Sequence, residues 1–359
     1  MLEKVNLLGY SYESLENFFK ELNEPKFRAK QLLSWIHQKG VIDIDLMTDL
    51  NKNLRNKLKT IATIIPPKIH KEYVSEEGTK KYLIELATGS IVEMVLIPEK
   101  KRQTLCVSSQ AGCALQCTFC ATGAQGFDQN LESDEIIGQL WLANFKIGHN
   151  KPITNIVFMG MGEPLLNYEA VIEAIKIMKD QSSYGLSRKR ITISTSGIVP
   201  NIKKLYKDVD VSLAISLHAP DDKLRNEIVP INNKYPIKTL IEACKNYLKS
   251  YENKRTLTIE YILIDEVNDS LEHAKDLAKL LTKLSCKINL IPFNSFNGSN
   301  YKRPSTAKMN VFKKYLIGKG FITTLRVTRG DAVDAACGQL VGDLSNSIKG
   351  KKLIKHKSI

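Results

Sequence analysis

The sequence predicts an α/β fold: a parallel sheet curled into a partial (β/α)6 TIM-type barrel, with a small helical accessory domain ahead of it. Three observations predict it. Between residues 104 and 291, short β-rich runs alternate with longer amphipathic runs of helical period, the order that builds parallel sheets. Through the first 62 residues, apolar side chains recur at helical steps instead. Polar clusters fall directly after the β-rich runs, and sites on parallel sheets collect at the C-terminal strand ends.

Composition bounds the function. At 359 residues with 43% hydrophobic side chains, the chain can hold one large domain and a small accessory one. A formal charge of +14 suits a polyanionic partner, with nucleic acid ahead of an anionic membrane surface. No apolar run approaches the ~18 residues of a membrane span. The opening residues lack the charged-then-apolar order of a secretory signal. Seven cysteines at irregular spacing oppose a secreted disulfide scaffold. The expected location is the cytoplasm, without membrane contact.

The elements follow in order. Ser14 is the expected cap of a helix through Leu15, Phe18, Phe19 and Leu22. A second segment carries Phe27, Leu32, Leu33, Trp35 and Ile36, and a third aligns Leu46, Leu50, Leu54 and Leu58 on one face. The opposite face holds Lys52, Arg55, Lys57 and Lys59. It reads first as a solvated face and second, in so basic a chain, as an RNA-docking one. Pro66-Pro67 marks a boundary, after which the period becomes two, with a hairpin of 82–86 and 90–97 around Thr88-Gly89. Glu93 lies in this hairpin. Alternation favours an exposed strand position for it, whereas burial would make it a base of raised pKa.

A strand at 104–108 carries Cys106. A helix over 133–147 opens on Ser133-Asp134-Glu135. Strands at 153–158, 190–193, 211–215, 256–264 and 287–291 follow, with helices at 168–179, 237–249 and 271–284 among them. Six strands result, counting the one with Cys106. A helix at 305–319 and a strand at 322–327 lead to a small-residue loop around Cys337. The tail from Lys349 to Lys357 is basic and reads as RNA-facing.

The densest chemistry is Cys113, Cys117 and Cys120, spaced C-x3-C-x2-C. Three thiolates from one tight loop supply no fourth ligand. A structural zinc wants four protein ligands, whereas an iron–sulfur cluster can take three thiolates and keep one iron open. Three of seven cysteines within eight residues speak against incidental small hydrophobes. After the later strands come Gly162-Glu163-Pro164, Ser194, Ser216-Leu217-His218 and Asn294. Each can be an ordinary turn or structural residue. Together, on successive strand ends, they favour a bound cofactor: a carboxylate for an ammonium group, hydroxyls for a ribose, an amide for an adenine edge.

The run Cys113-x3-Cys117-x-Phe119-Cys120 resembles the signature of the radical S-adenosylmethionine enzymes. With Glu93, Gly162-Glu163-Pro164, Ser194-Thr195-Ser196-Gly197, Ser216-Leu217-His218 and the loop Asp334-Ala335-Ala336-Cys337-Gly338-Gln339-Leu340, the chain resembles the RlmN family over nearly its whole length. Members of that family methylate C2 of an adenine in 23S ribosomal RNA and in certain tRNAs. The resemblance implies one [4Fe-4S] cluster on Cys113, Cys117 and Cys120, and S-adenosyl-L-methionine bound by Gly162, Glu163, Ser194, Ser216, Leu217, His218 and Asn294. It implies two molecules of that cofactor per turnover. One methylates Cys337; the other yields a 5'-deoxyadenosyl radical that takes hydrogen from the S-methyl group. The methylene radical then adds to C2, Glu93 removes the C2 proton, and Cys106 attacks the Cys337 sulfur to release the product as a transient disulfide forms.

The implied partners are 23S rRNA, tRNA and an electron donor for the cluster, and the expected working form is a monomer. The expected domains are a helical RNA-binding domain at 1–65, a hairpin extension at 66–103, the barrel with its cysteine loop at 104–340 and a basic tail at 341–359. The sister family, Cfr, methylates C8 of the same adenine; Gly162-Glu163-Pro164, Ser196 and Arg329-Gly330-Asp331 resemble the C2 group more. A non-catalytic, zinc-bearing RNA-binding protein is the alternative from another class. It would need Cys106 or His149 as a fourth ligand and would leave Cys337 without a role.

Overall fold

The computed structural model describes residues 4–147, 151–252, 255–326 and 334–341. The N-terminal region is mostly helical: α1 (Tyr12–Glu21), α2 (Phe27–Leu33), which runs on into a wider turn at Ser34–Gln38, and α3 (Lys52–Ile61). It is not wholly so, because β1 (Val5–Asn6) pairs in parallel with β2 (Ala62–Thr63) and ties its two ends together. The cap of α1 is Ser11, whose Oγ accepts the Ser14 N–H at 3.3 Å, so the helix starts a turn earlier than expected. Ser14 instead bonds the Glu173 carboxylate with its hydroxyl. Leu50, Leu54 and Leu58 are buried as expected, but Leu46 is 58% exposed. It ends a separate turn, Ile44–Leu46, ahead of the Asn51 cap of α3, so the helical period never reaches it.

Three antiparallel strands follow: β3 (Lys68–Val74), β4 (Lys80–Glu85) and β5 (Ile91–Pro98). β5 pairs with β6 (Gln103–Cys106), Val95 opposite Cys106, so the hairpin continues the barrel sheet. Next come β7 (Gln110–Gly112), α4 (Ala121–Gln125), β8 (Phe127–Asn130), α5 (Ser133–Phe145), β9 (Asn155–Phe158) and α6 (Tyr168–Lys179). The alternation runs on through β10 (Ile191–Thr195), α7 (Val199–Asp208), β11 (Ser212–Ser216), α8 (Asp222–Ile228) and α9 (Ile237–Lys249). It closes with β12 (Leu257–Leu263), α10 (Leu271–Leu281), β13 (Cys286–Pro292), α11 (Thr306–Gly318) and β14 (Thr323–Leu325). Among the described residues, ten strands form one sheet in the order β14-β13-β12-β11-β10-β9-β6-β5-β4-β3. The parallel part holds the six expected strands, and β14, expected as a strand at 322–327, joins the sheet beyond β13.

Helix α5 joins the two regions. Every residue from Glu135 to Ala143 is buried, as expected of a helix that is apolar all round and enclosed on both sides. Toward the barrel, Gln139 exchanges hydrogen bonds with the backbone of Ser108, both at 2.9 Å. Toward the helical region, Trp141 Nε1 donates to the Ile36 carbonyl at 2.9 Å and Ser133 Oγ to the Gly9 carbonyl at 2.9 Å. The α5 cap is Glu132, in a reciprocal capping box with Glu135, and not Ser133.

Candidate active site at the strand ends

The cysteine loop is pinned at both ends and in its middle. Gly112, at φ 74°, has room for no side chain, since a Cβ would meet the Gly126 carbonyl oxygen at 2.0 Å. The Cys113 N–H donates to that same oxygen at 2.7 Å. The Cys120 N–H donates to the Cys117 carbonyl, and the Thr118 N–H to that of Ile228. Phe119 meets the His218 ring edge-on with centroids 4.7 Å apart, which fixes the aromatic residue before the last cysteine against a strand-end histidine.

Cys113, Cys117 and Cys120 line one cleft with Gly162, Glu163, Ser194, Ser216, His218 and Cys337, enclosing ≈ 940 Å³ including its open mouth. Glu163 is buried; its carboxylate accepts the Ser196 N–H at 2.8 Å and the Leu165 N–H at 3.0 Å. Burial raises its pKa to about 7, opposed by these N–H groups and by Thr195. Gly162, at φ 94°, is demanded by packing: a Cβ there would meet Gln110 Cβ at 2.5 Å. Ser194 Oγ and Ser216 Oγ lie 3.2 Å apart. His218 Nδ1 accepts the Ile262 N–H at 3.0 Å, and burial lowers its pKa to about 3, so the ring is neutral with its proton on Nε2.

Two expected cofactor residues sit elsewhere. Leu217 is fully buried, and its side chain is not among those lining the cleft. Its carbonyl accepts Arg225 Nε at 2.9 Å. Asn294 donates to the Cys337 carbonyl at 3.3 Å and faces a second chamber inside the barrel.

Cys337 borders both the cleft and that chamber, and Cys106 opens on the chamber. The loop carrying Cys337 hangs from the cysteine loop: the Ala121 N–H donates to the Gly338 carbonyl at 2.8 Å, and Thr122 Oγ1 to that of Leu340 at 2.6 Å. Arg326 Nη1 donates to Cys337 Sγ at 3.2 Å. Burial pushes the Cys106 thiol up to about 12, with the Cys337 sulfur adding to the rise and Arg326 opposing it. All seven cysteines are free thiols.

Glu93 is 2% exposed, which corrects the exposed position that alternation favoured. It shares the inner face of the sheet with Val95, the partner of Cys106, and borders the 334–341 segment, in electrostatic reach of Asp334. One carboxylate oxygen pairs with Lys81 Nζ at 3.2 Å; the other, Oε2, is buried and makes no short hydrogen bond among the described residues, and the Val341 backbone N–H also favours the anion. Burial raises its pKa and Lys81 opposes the rise.

Three residues that sequence reasoning missed bear on this arrangement. Besides Lys81 and Arg326, Arg225 is fully buried, and its guanidinium donates to the carbonyls of Ser196 (2.7 Å), Ser216 (3.1 Å) and Leu217. Nothing in their local sequence distinguishes these cations from the other basic residues. His149, Arg329-Gly330-Asp331 and the basic tail lie outside the described residues.

The three thiols ring one wall of the cleft, and burial and mutual repulsion raise the pKa of Cys117. Such crowded, desolvated sulfurs ionise readily only beside a cation. Among the described residues, no three His, Cys, Asp or Glu side chains converge as a single metal ion requires. A three-thiol wall with an open side fits a multi-iron cluster.

Comparison with known proteins gives concordant results. Residues 5–64 match the ribosomal RNA large subunit methyltransferase N-terminal domain, and residues 107–281 match the radical SAM superfamily. The chain is 53% identical over 348 residues to the dual-specificity RNA methyltransferase RlmN of Pseudomonas putida, covering 96% of this chain and 91% of that protein. The RlmN of Pseudomonas fluorescens is 52% identical over 346 residues, with coverage of 95% and 91%. The crystal structure of a radical SAM methyltransferase from Sphaerobacter thermophilus superposes with a TM-score of 0.87 at 40% identity, covering 94% of this chain and 99% of that one.

Proposed function

The chain belongs to the RlmN family of dual-specificity RNA methyltransferases, and on that premise we propose that it methylates C2 of an adenine in 23S ribosomal RNA and in a subset of tRNAs. The meeting of Cys113, Cys117, Cys120 and Cys337 in one cleft walled by Glu163, Ser194, Ser216 and His218 carries this reading. Adenine C2 is an electron-poor carbon with no acidic proton at neutral pH, so direct transfer of a methyl cation is implausible. A [4Fe-4S] cluster on Cys113, Cys117 and Cys120, with S-adenosyl-L-methionine bound to it, would supply the hydrogen-atom abstraction that makes a sulfur-bound methyl reactive.

The remaining work falls to this chain's side chains. Cys337 takes the methyl group from a first S-adenosyl-L-methionine, for which it must be a thiolate; the Arg326 guanidinium donates to its sulfur at 3.2 Å. Glu163, Ser194, Ser216 and the Nε2–H of His218 offer a carboxylate and donors to the cofactor, while Gly162, Leu217 and Asn294 shape the backbone around it. Once the S-bound carbon has joined C2 and the adduct radical has given up one electron, for which the oxidised cluster would be the acceptor, the C2 proton passes to Glu93. Cys106, as its thiolate, then attacks the Cys337 sulfur: a sulfur–sulfur bond forms, the sulfur–carbon bond breaks, and its electron pair stays on the carbon, which takes up a proton to become the methyl group. Two cofactor molecules are used per turnover. Residues 1–65 serve as the RNA-binding domain, 66–103 as the extension, 104–340 as the catalytic barrel and 341–359 as a basic tail. A one-electron donor, a cytoplasmic setting and a monomeric working form complete the reading. Among the described residues, no helix is long and apolar enough to cross a membrane.

The test is mass spectrometry of anaerobically purified, cluster-loaded protein given S-adenosyl-L-methionine and 23S RNA fragments. A methyl on Cys337 together with 2-methyladenosine is the expected result, and Cys106→Ala should accumulate a protein–RNA adduct on a denaturing gel. Methylation at C8 would move the chain to the sister chemistry. Absence of any methyl on Cys337 would overturn the proposal.

A further inference from the structure

Lys81 is 6% exposed and stands at a junction that the chemistry above leaves unused. It sits on β4 opposite Val95, and Leu83 opposite Glu93, so Lys81 and Glu93 are diagonal neighbours on the inner face of the sheet. Its ammonium is 3.2 Å from Glu93 Oε1 and donates to the Asp334 carbonyl at 3.3 Å. One buried cation therefore touches both the carboxylate and the loop that carries Cys337, three residues downstream of Asp334. Glu93 Oε2 makes no short hydrogen bond among the described residues, with only the Val341 backbone N–H acting on the carboxylate besides Lys81. A buried carboxylate with one loosely held oxygen can accept a proton at little cost in lost partners.

We propose that Lys81 is a positioning residue for proton removal: it holds the Glu93 carboxylate ionised, aims Oε2 away from itself, and fixes the base in register with the Cys337 loop through the Asp334 carbonyl. The inference rests on the reading of Glu93 as the base. Proton transfer breaks the C2–H bond, leaves its electron pair on the ring and forms an O–H bond on Glu93, while Oε1 stays on the Lys81 ammonium. Among the described residues, the charged groups facing Glu93 are Lys81 from β4 and Asp334 from the loop. Lys81 in turn lies 5.2 Å from the centre of the Tyr73 ring on β3. Asp334 disfavours the Glu93 anion, whereas Lys81 and the Val341 backbone N–H favour it, so removing Lys81 leaves burial and one like charge opposed by a single backbone dipole.

The experiment starts from enzyme already methylated on Cys337, so that only the RNA step is timed, in single turnovers across pH. Lys81→Gln keeps a donor for both contacts and removes the charge; its acid limb should move up by about one to three pH units, with the rate recovering at high pH. Lys81→Arg should return the limb to its wild-type position. Lys81→Met, which leaves the carboxylate with no side-chain donor, should show a shift at least as large where it folds. In cluster-free protein, the isotope-edited infrared carboxyl band that vanishes in Glu93→Gln should titrate at higher pH in Lys81→Gln, a readout independent of turnover. A limb and band unmoved in Lys81→Gln, with only the melting temperature lowered, would overturn the inference. Glu93→Gln separates the two ideas: wild-type rates there would remove Glu93 as the base, whereas a slow Glu93→Gln beside an unmoved Lys81→Gln would remove Lys81 alone.

Discussion

Two buried carboxylates stand at the ends of neighbouring parts of the same sheet and are held in opposite ways. Glu163 has both oxygens occupied, by the backbone N–H groups of Leu165 and Ser196, and so ties the end of β9 to the end of β10. Glu93 has a lysine on one oxygen and, among the described residues, no short hydrogen bond on the other. Burial raises the pKa of each. The difference teaches that burial alone does not make a base. A carboxylate saturated by fixed dipoles behaves as a strut that shapes the cofactor wall, whereas one left half-satisfied next to a cation can exchange a proton.

The largest expected effect separates the two directly. Glu93→Gln should slow RNA methylation by about 10²- to 10⁴-fold, the usual range for loss of a general base. Glu163→Gln should act mainly through a KM for S-adenosyl-L-methionine raised about tenfold. Steady-state kinetics of both variants decide the matter, and equal losses in kcat would erase the distinction.

A smaller effect concerns stability against pH. The Glu163 pKa is raised from 4.5 to about 7 in the folded chain, so the folded state binds more protons than the unfolded one in that window. Stability therefore falls as pH rises from 4.5 to 7, by up to about 3 kcal/mol relative to Glu163→Gln. Urea unfolding of the two cluster-free proteins at several pH values measures it, and parallel curves would contradict it. The smallest effect tests the far side of Glu93. Tyr73→Leu removes the ring beside Lys81 and should lower stability by only about 0.5–1 kcal/mol in the same assay.

Much of this was legible in the sequence where the determinants are local. The helices expected at 168–179 and 237–249 form with those bounds, where the apolar period runs from end to end without a competing start signal. Errors arose where two local solutions compete. Ser11 and Ser14 are both capping residues one turn apart, and the contact that decides between them is with Glu173, far away in the chain. Leu46 continues an apolar step that the chain interrupts with a separate turn. The three cluster-loop cysteines were legible as a group through their spacing. The burial of Glu93 was not, since it depends on a segment more than 200 residues downstream coming to lie against β5. Lys81, Arg225 and Arg326 escaped for the same reason: such a cation is defined by its partners, and those come from other parts of the chain.

Helix α5 carries a consequence of a different kind. Because it is enclosed on both sides and fixed by Gln139 to Ser108 and by Trp141 to Ile36, it leaves no hinge between the N-terminal helices and the strand that leads to the cysteines. The molecule is then built like a caliper with its jaws locked. If residues 1–65 hold the RNA as proposed, that RNA is measured against a fixed span to Cys337, and only an RNA whose own fold offers an adenine at that span is the right size to be served. Selection among RNAs then becomes a matter of gauge as much as of sequence, set by the stiffness of a single helix buried from Glu135 to Ala143.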